Sequence, residues 1–308
     1  MRVRDDDATS LVSLADITEI ELVILKRMRD VTIGDHRSRQ HGTGFDFVGL
    51  REWQPGDRFA AIDWGQSTLS NFSPLIVRDF EQRSTATVVT VADLSLSTRC
   101  GVGGVPIAAP VARAIATIWL SAVFFQDQFG LITFDSGFQH LGGIRPRTGK
   151  SHVVHCLDAY QRQTGFQQVR RTGSISATLS GYVRNPGLMP VVSDFLFDDV
   201  DTTLRELALV NATHDVFLVL IDSEFAFEAP HISSGWIDTI DCETGRTRTI
   251  SRHTLSQLAE RAADWQRDVR KQAKSLDLDV VIVGTDHDRA DLALSEFVAE
   301  RRLRKTYN

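Results

Sequence analysis

The chain has 308 residues, 42% of them hydrophobic and 24% charged, enough to bury the core of a large α/β domain and too apolar for a disordered chain. Lys plus Arg number 34 against 40 Asp plus Glu, and the net charge of -6 argues against a general nucleic-acid binder. Three scattered cysteines (Cys100, Cys156, Cys242) form no CxxC pair, so neither a zinc site nor a disulfide framework is expected, and the cytoplasm is the expected location.

The first ten residues, MRVRDDDATS, are too acidic and polar for a signal peptide. Over residues 11–33, Leu14, Ile17, Ile20, Ile24, Met28 and Val31 recur at gaps of three and four and predict an amphipathic helix. Residues 34–84 change character. Gly42, Gly44, Gly49 and the QPGD turn at 54–57 punctuate short runs bearing Phe45, Phe47, Trp53, Phe59 and Trp64, which reads as a small β-rich element. Pro55-Gly56 suits a type II turn. Phe47 and Trp64 are expected in its core, with Arg51 and Asp63 as a buried pair. This places a helix and β-rich segment at 1–84 ahead of the main domain at 85–308.

From residue 85 the pattern alternates. Strands are predicted near 86–92, 129–134, 188–193, 214–221 and 279–284. Helices are predicted near 106–127, 151–163, 174–184, 199–211, 253–276 and 289–304. Such alternation means an α/β fold with a mostly parallel sheet flanked by helices. AIATIWLSAVFF, residues 114–125 after Arg113, is about half the length of a membrane span and reads as a buried core helix. The polar stretch at 226–250 reads as a β-hairpin excursion.

Asp93, Asp135, Asp194 and Asp222 each stand where a predicted strand stops. Ligands of open parallel sheets bind at those carboxyl ends, although aspartate there also serves as a helix cap or turn residue. VVTVADLSLST, residues 88–98, goes further and sets Asp93, Ser95 and Ser97 at every second position. Three oxygens on one loop can converge on a hard cation such as Mg²⁺. Two hydroxyls and two carboxylates leave such an ion unsaturated, ready for a carboxylate from another molecule. A phosphotransferase using Asp93 as nucleophile would need a second carboxylate two residues on, as general acid and base, and Ser95 holds that place. Three minor features read as structural: His152 and His155 as a solvated helix face, GKSH at 149–152 as no P-loop, and RRLRK at 301–305 as a stabilised helix C-terminus.

The segment HRSRQHGTGFDFVGLREWQPGDRFAAIDWGQS, residues 36–67, resembles the von Willebrand factor A-like "domain of unknown function" family number 58 of bacteria. Its G-x-G-x-[ED]-F-x-x-L-R-x-[YW]-x-P-G-D pattern followed by I-D-W is met by Gly42, Gly44, Asp46, Phe47, Leu50, Arg51, Trp53, Pro55, Gly56, Asp57, Ile62, Asp63 and Trp64. LIVRDFEQR (75–83), DLSLS (93–97), GLITFDS (130–136), VVSDF (191–195) and DCETGR (241–246) follow in the family's order. Ala60 and Ala61 stand where the family usually carries an arginine before I-D-W.

The resemblance implies a von Willebrand A-type fold with a metal-ion-dependent adhesion site. Asp93, Ser95 and Ser97 match its first motif and Asp194 its last. Gly173 falls where the remaining threonine ligand belongs, flanked by Thr172 and Ser174. The cofactor implied is Mg²⁺, with Mn²⁺ or Ca²⁺ as substitutes, held in full only with a partner bound. The resemblance also implies a MoxR-type AAA+ ATPase as partner, in protein maturation or complex assembly. The expected protein is then a cytoplasmic interaction module with no membrane span, not an enzyme, whose client offers a carboxylate. The alternatives are a metal-assisted phosphohydrolase using Asp93 and a metal-free binding scaffold of the same fold.

Overall fold

A computed structural model of the chain describes residues 10–33, 41–42, 46–57, 59–81, 85–102, 105–135, 138–227, 235–240, 246–284 and 286–305. Gly44, Phe45 and Cys242, with most of DCETGR, lie outside the described residues, as do the side chains of Asp46 and Phe47. The chain divides into two compact units, residues 1–29 with 86–299 and residues 30–85 with 300–308.

In chain order the elements begin with α1 (Leu14–Ile33), β1 (His41–Gly42), β2 (Asp46–Glu52), α2 (Trp64–Leu69) and β3 (Ile76–Glu81). Then come β4 (Thr87–Asp93), the short pair β5 (Gly101–Val102) and β6 (Val105–Pro106), α3 (Ala108–Phe124), β7 (Gln128–Phe134) and β8 (Leu141–Arg147). They are followed by α4 (Lys150–Arg162), β9 (Gln167–Gln168), α5 (Ile175–Tyr182), β10 (Leu188–Ser193), α6 (Val200–Asn211) and β11 (Asp215–Ile221). The chain continues through β12 (Trp236–Ile240), β13 (Thr247–Ser251), α7 (Arg252–Ser275), β14 (Asp279–Val283) and α8 (His287–Lys305).

The larger unit is built on a seven-stranded sheet in the order β14-β11-β10-β4-β7-β8-β9. Strands β14, β11, β10, β4 and β7 run parallel, and β8 and β9 are added antiparallel at one edge. The parallel strands are apolar on both faces because helices cover both. Alternate residues point to opposite sides. Val88, Ala92, Leu131, Val192 and Val219 meet α1, α3, α4 and α8, while Val89, Val91, Ile132, Met189 and Leu218 meet α5, α6 and α7. Helix α3 is buried from Pro110 through Ala122, the core helix expected. Its Trp119 donates its indole N–H to Thr90 Oγ1 at 3.0 Å, and the Arg113 guanidinium is matched by Asp291 at 2.7 Å, Asp16 at 3.4 Å and Glu19 at 3.6 Å. No helix among the described residues is long and apolar enough to cross a membrane.

The expected strands and helices of this unit are present, with ends displaced by three residues or fewer. The hairpin excursion is β12 paired antiparallel with β13. Strand β8 was not expected, because LGGIRPR carries two glycines and a proline. Those glycines serve close approach: a Cβ on Gly142 would lie 2.8 Å from Phe166 and one on Gly143 2.7 Å from the Tyr182 hydroxyl. Helix α1 also differs in its grouping from the expected boundary at 84/85. Ile17, Ile20 and Ile24 are buried in the larger unit's core.

The smaller unit carries the antiparallel sheet β1-β3-β2. Gly56 takes φ +111°, the left-handed position a type II turn requires after Pro55. Two expectations need correction here. Trp64 opens α2 and is 57% exposed, so it is not core. Arg51 and Asp63 do not pair. Arg51 grips Asp57 through two hydrogen bonds of 2.7 Å, closing the QPGD turn, whereas Asp63 caps α2 at Gln66 N (3.1 Å) and accepts from Arg78 Nε (2.8 Å). In the larger unit His152 likewise departs from a solvated face: it is buried against Phe129, ring centroids 5.0 Å apart.

Candidate functional site

The sheet order reverses direction at β4, which has β7 on one side and β10 on the other. A crevice at the carboxyl ends of strands flanking such a switch is where open α/β sheets hold ligands. Register places Val192 of β10 beside Ala92 of β4, so the two strands end together. Asp93 is the last residue of β4, and Asp194 directly follows β10. Both are buried, at 0% and 1% exposure.

The Asp93 carboxylate is held at both oxygens. Oδ1 accepts the Ser95 backbone N–H at 2.8 Å, and Oδ2 accepts the Ser193 hydroxyl at 2.6 Å. Its carbonyl accepts the Tyr160 hydroxyl at 2.7 Å. The Ser95 and Ser97 hydroxyls lie 2.8 Å apart, one donating to the other, and Thr98 Oγ1 donates to Ser95 O at 2.7 Å to tighten the loop. The alternation of Asp93, Ser95 and Ser97 therefore brings three oxygen side chains onto one turn.

Asp194 is less well matched. Its Oδ1 accepts Leu196 N at 3.1 Å, while Oδ2 is buried without a hydrogen-bond partner. Its main chain is clamped: Gln266 Nε2 donates to Asp194 O and to Ile221 O, both at 2.9 Å, and Trp265 Nε1 donates to Phe195 O at 2.8 Å. Phe195 holds φ +56°, strained for a bulky residue, with its ring fully buried.

Burial raises the carboxyl pKa of Asp93, and the nearby charge of Asp135 adds to this; hydrogen bonds from Ser193 and Ser95 oppose it. Burial, followed by the charge of Asp93, pushes Asp194 up to about 7. Two buried carboxylates thus stand at the ends of adjacent strands with no cationic side chain paired to either among the described residues. The donors are all oxygens, a set that suits hard divalent cations. No group of three or more His, Cys, Asp or Glu able to hold a metal occurs among the described residues, so the arrangement is no self-sufficient cage.

Ser174 is engaged through its hydroxyl and Thr172 through its backbone. Ser174 caps α5 through Ala177 N at 3.1 Å and meets Ser176 Oγ at 2.9 Å; Thr172 N donates to Thr178 Oγ1 at 3.0 Å. Among the described residues no hydrogen bond joins either to Asp93, Ser95, Ser97 or Asp194. Gly173 between them takes φ +67°. Of the other strand-end aspartates, Asp135 closes its own turn by accepting Gln139 N and His140 N, both at 2.9 Å. The sequence reading missed Ser193, Tyr160 and Gln266. Ser193 left one signal, a hydroxyl completing an otherwise apolar strand.

Uncharacterized protein Rv1480 of Mycobacterium tuberculosis is 25% identical over 300 residues, covering 94% of this chain and 89% of its own. The uncharacterized protein Mb1516 of Mycobacterium bovis matches to the same extent. Among solved structures, an aerotolerance-related membrane protein from Bacteroides fragilis aligns with 70% of this chain and 99% of its own, at 13% identity and TM-score 0.41. BatB from Bacteroides thetaiotaomicron aligns with 71% of this chain and 99% of its own, at 14% identity and TM-score 0.38. Structural likenesses that weak carry no argument. A family model does match most of the chain, over residues 49–275, and the chain belongs to the family described as "Protein of unknown function DUF58".

Proposed function

We propose that this protein is a metal-dependent protein–protein interaction module with a von Willebrand A-type larger unit. In this reading Asp93, Ser95, Ser97 and Asp194 hold one Mg²⁺, and a partner's Asp or Glu completes its coordination. The observation that carries the reading is the pair of buried carboxylates at the ends of adjacent strands β4 and β10, one of them with an oxygen that has no partner. Unpaired buried charge is costly, and a bound cation offsets that cost. The antiparallel strand β8 beside parallel β7 and the switch at β4 suit the von Willebrand A architecture. Ser95, where a phosphotransferase would carry its second carboxylate, favours adhesion over catalysis.

The chemistry supplied by the ion would be electrostatic recognition of a carboxylate. Ser174 would join the ligands only by leaving its present hydrogen bonds, whereas Thr172 is held through its backbone N–H. By family resemblance, the partner is a MoxR-type AAA+ ATPase. One observation favours a second reading, the metal-free scaffold: the Ser193 hydroxyl already satisfies Asp93 Oδ2. Affinity capture from the native host, with and without EDTA, separates the readings. Recovery of an AAA+ ATPase only without EDTA supports the first, recovery in both favours the scaffold, and recovery in neither removes this partner. Hydrolysis of p-nitrophenyl phosphate that disappears in Asp93→Asn would instead mark a phosphohydrolase.

A further inference from the structure

Ser193 touches both halves of the proposed cation site. Its hydroxyl donates to Asp93 Oδ2 at 2.6 Å, and the same oxygen accepts the Phe195 backbone N–H at 2.8 Å. It is fully buried on β10, so water does not compete for either bond. A serine hydroxyl has one proton to donate, and that proton is committed to Asp93. The oxygen in turn anchors the residue after Asp194, whose left-handed backbone has few ways to adjust.

We propose that Ser193 is the positioning residue of this site: it sets the side chain of Asp93 and the backbone carrying Asp194 relative to each other, so that the two carboxylates address one cation. The inference rests on the metal-dependent reading above. It adds a residue outside the Asp93-x-Ser95-x-Ser97 pattern and assigns it orientation, with the ion held by others. Without this hydroxyl, Asp93 Oδ2 loses its only side-chain donor among the described contacts, and Phe195 N–H loses its acceptor. The two aspartates would then have to be ordered by the ion itself, and affinity would fall for that reason.

The test is Mn²⁺ titration of the full chain followed by electron paramagnetic resonance, on the natural protein, Ser193→Ala, Ser193→Cys and Val216→Ala. Val216 is buried in β11 at the strand's opposite end and serves as a control for lost stability. The expected result is a Kd at least tenfold weaker in Ser193→Ala, a smaller loss in Ser193→Cys, a changed Mn²⁺ line shape in both, and an unchanged Kd in Val216→Ala. Should Ser193→Ala fail to fold, the thiol variant alone decides, since it keeps a side-chain donor at this position but a weaker one. Equal Mn²⁺ affinity in the natural protein and the Ser193 variants overturns the inference while leaving the metal site standing. No Mn²⁺ uptake by the natural protein overturns both.

Discussion

Replacing Asp194 by Asn keeps the shape of the site and removes its most costly charge. In the folded protein this carboxyl is pushed from 3.8 up to about 7, chiefly by burial and then by the charge of Asp93. Because the folded pKa lies above the unfolded one, the folded state retains a proton that the unfolded chain releases across the intervening range. Stability is therefore fully present below pH 3.8, falls as pH rises, and levels off above about pH 7. A span of about 3 pH units at about 1.4 kcal/mol each amounts to roughly 4 kcal/mol lost to this group, shared with Asp93 because the pair titrates together. In urea melts without metal at pH 8, Asp194→Asn is predicted to be more stable than the natural protein by about 2–4 kcal/mol, and the advantage should vanish near pH 4. Mg²⁺ at a hundredfold excess over its Kd should stabilise the natural protein by about 2.7 kcal/mol and leave the variant unmoved. A variant less stable than the natural protein at pH 8 without metal would refute the view that Asp194 is an uncompensated buried charge.

Three further outcomes follow from the same structure. Arg113→Leu strands Asp291, which is 2% exposed, and should cost about 3–5 kcal/mol in urea unfolding; the double variant with Asp291→Leu should recover most of it. Cys156 is buried and its thiol is pushed up to about 12 by burial, so Ellman's reagent at pH 8 should reach it only at the rate of unfolding. Ser251 caps α7 by accepting Thr254 N at 3.1 Å, and Ser251→Ala should lower stability by about 1 kcal/mol in thermal or urea unfolding.

What could be read from the chain depended on how local the cause was. Strands such as VVTVA and FLVLI are apolar on both faces because both faces are covered, and their runs gave the parallel sheet and the places where Asp93 and Asp194 stand. Strand β8 stayed hidden because its glycines answer to Phe166 and Tyr182, residues distant in sequence. Arg51 was matched to Asp63 by charge alone, whereas the turn at 54–57 brings Asp57 nearer. Gln266 sits on the amphipathic helix α7, where nothing local separates it from a solvent-facing glutamine; its role depends on the carbonyls of Asp194 and Ile221 at the ends of two other elements. Ser193 was overshadowed by its neighbour Asp194, although a polar residue closing an apolar strand is an unusual enough pattern to mark a site.

The account stands on Asp93 and Asp194 forming one cation site, and calorimetric titration with Mn²⁺ at pH 8 tests that most directly. The account predicts one Mn²⁺ bound per chain by the natural protein and no binding by the double variant Asp93→Asn, Asp194→Asn. An absence of binding heat in the natural protein, or equal binding by the double variant, contradicts it.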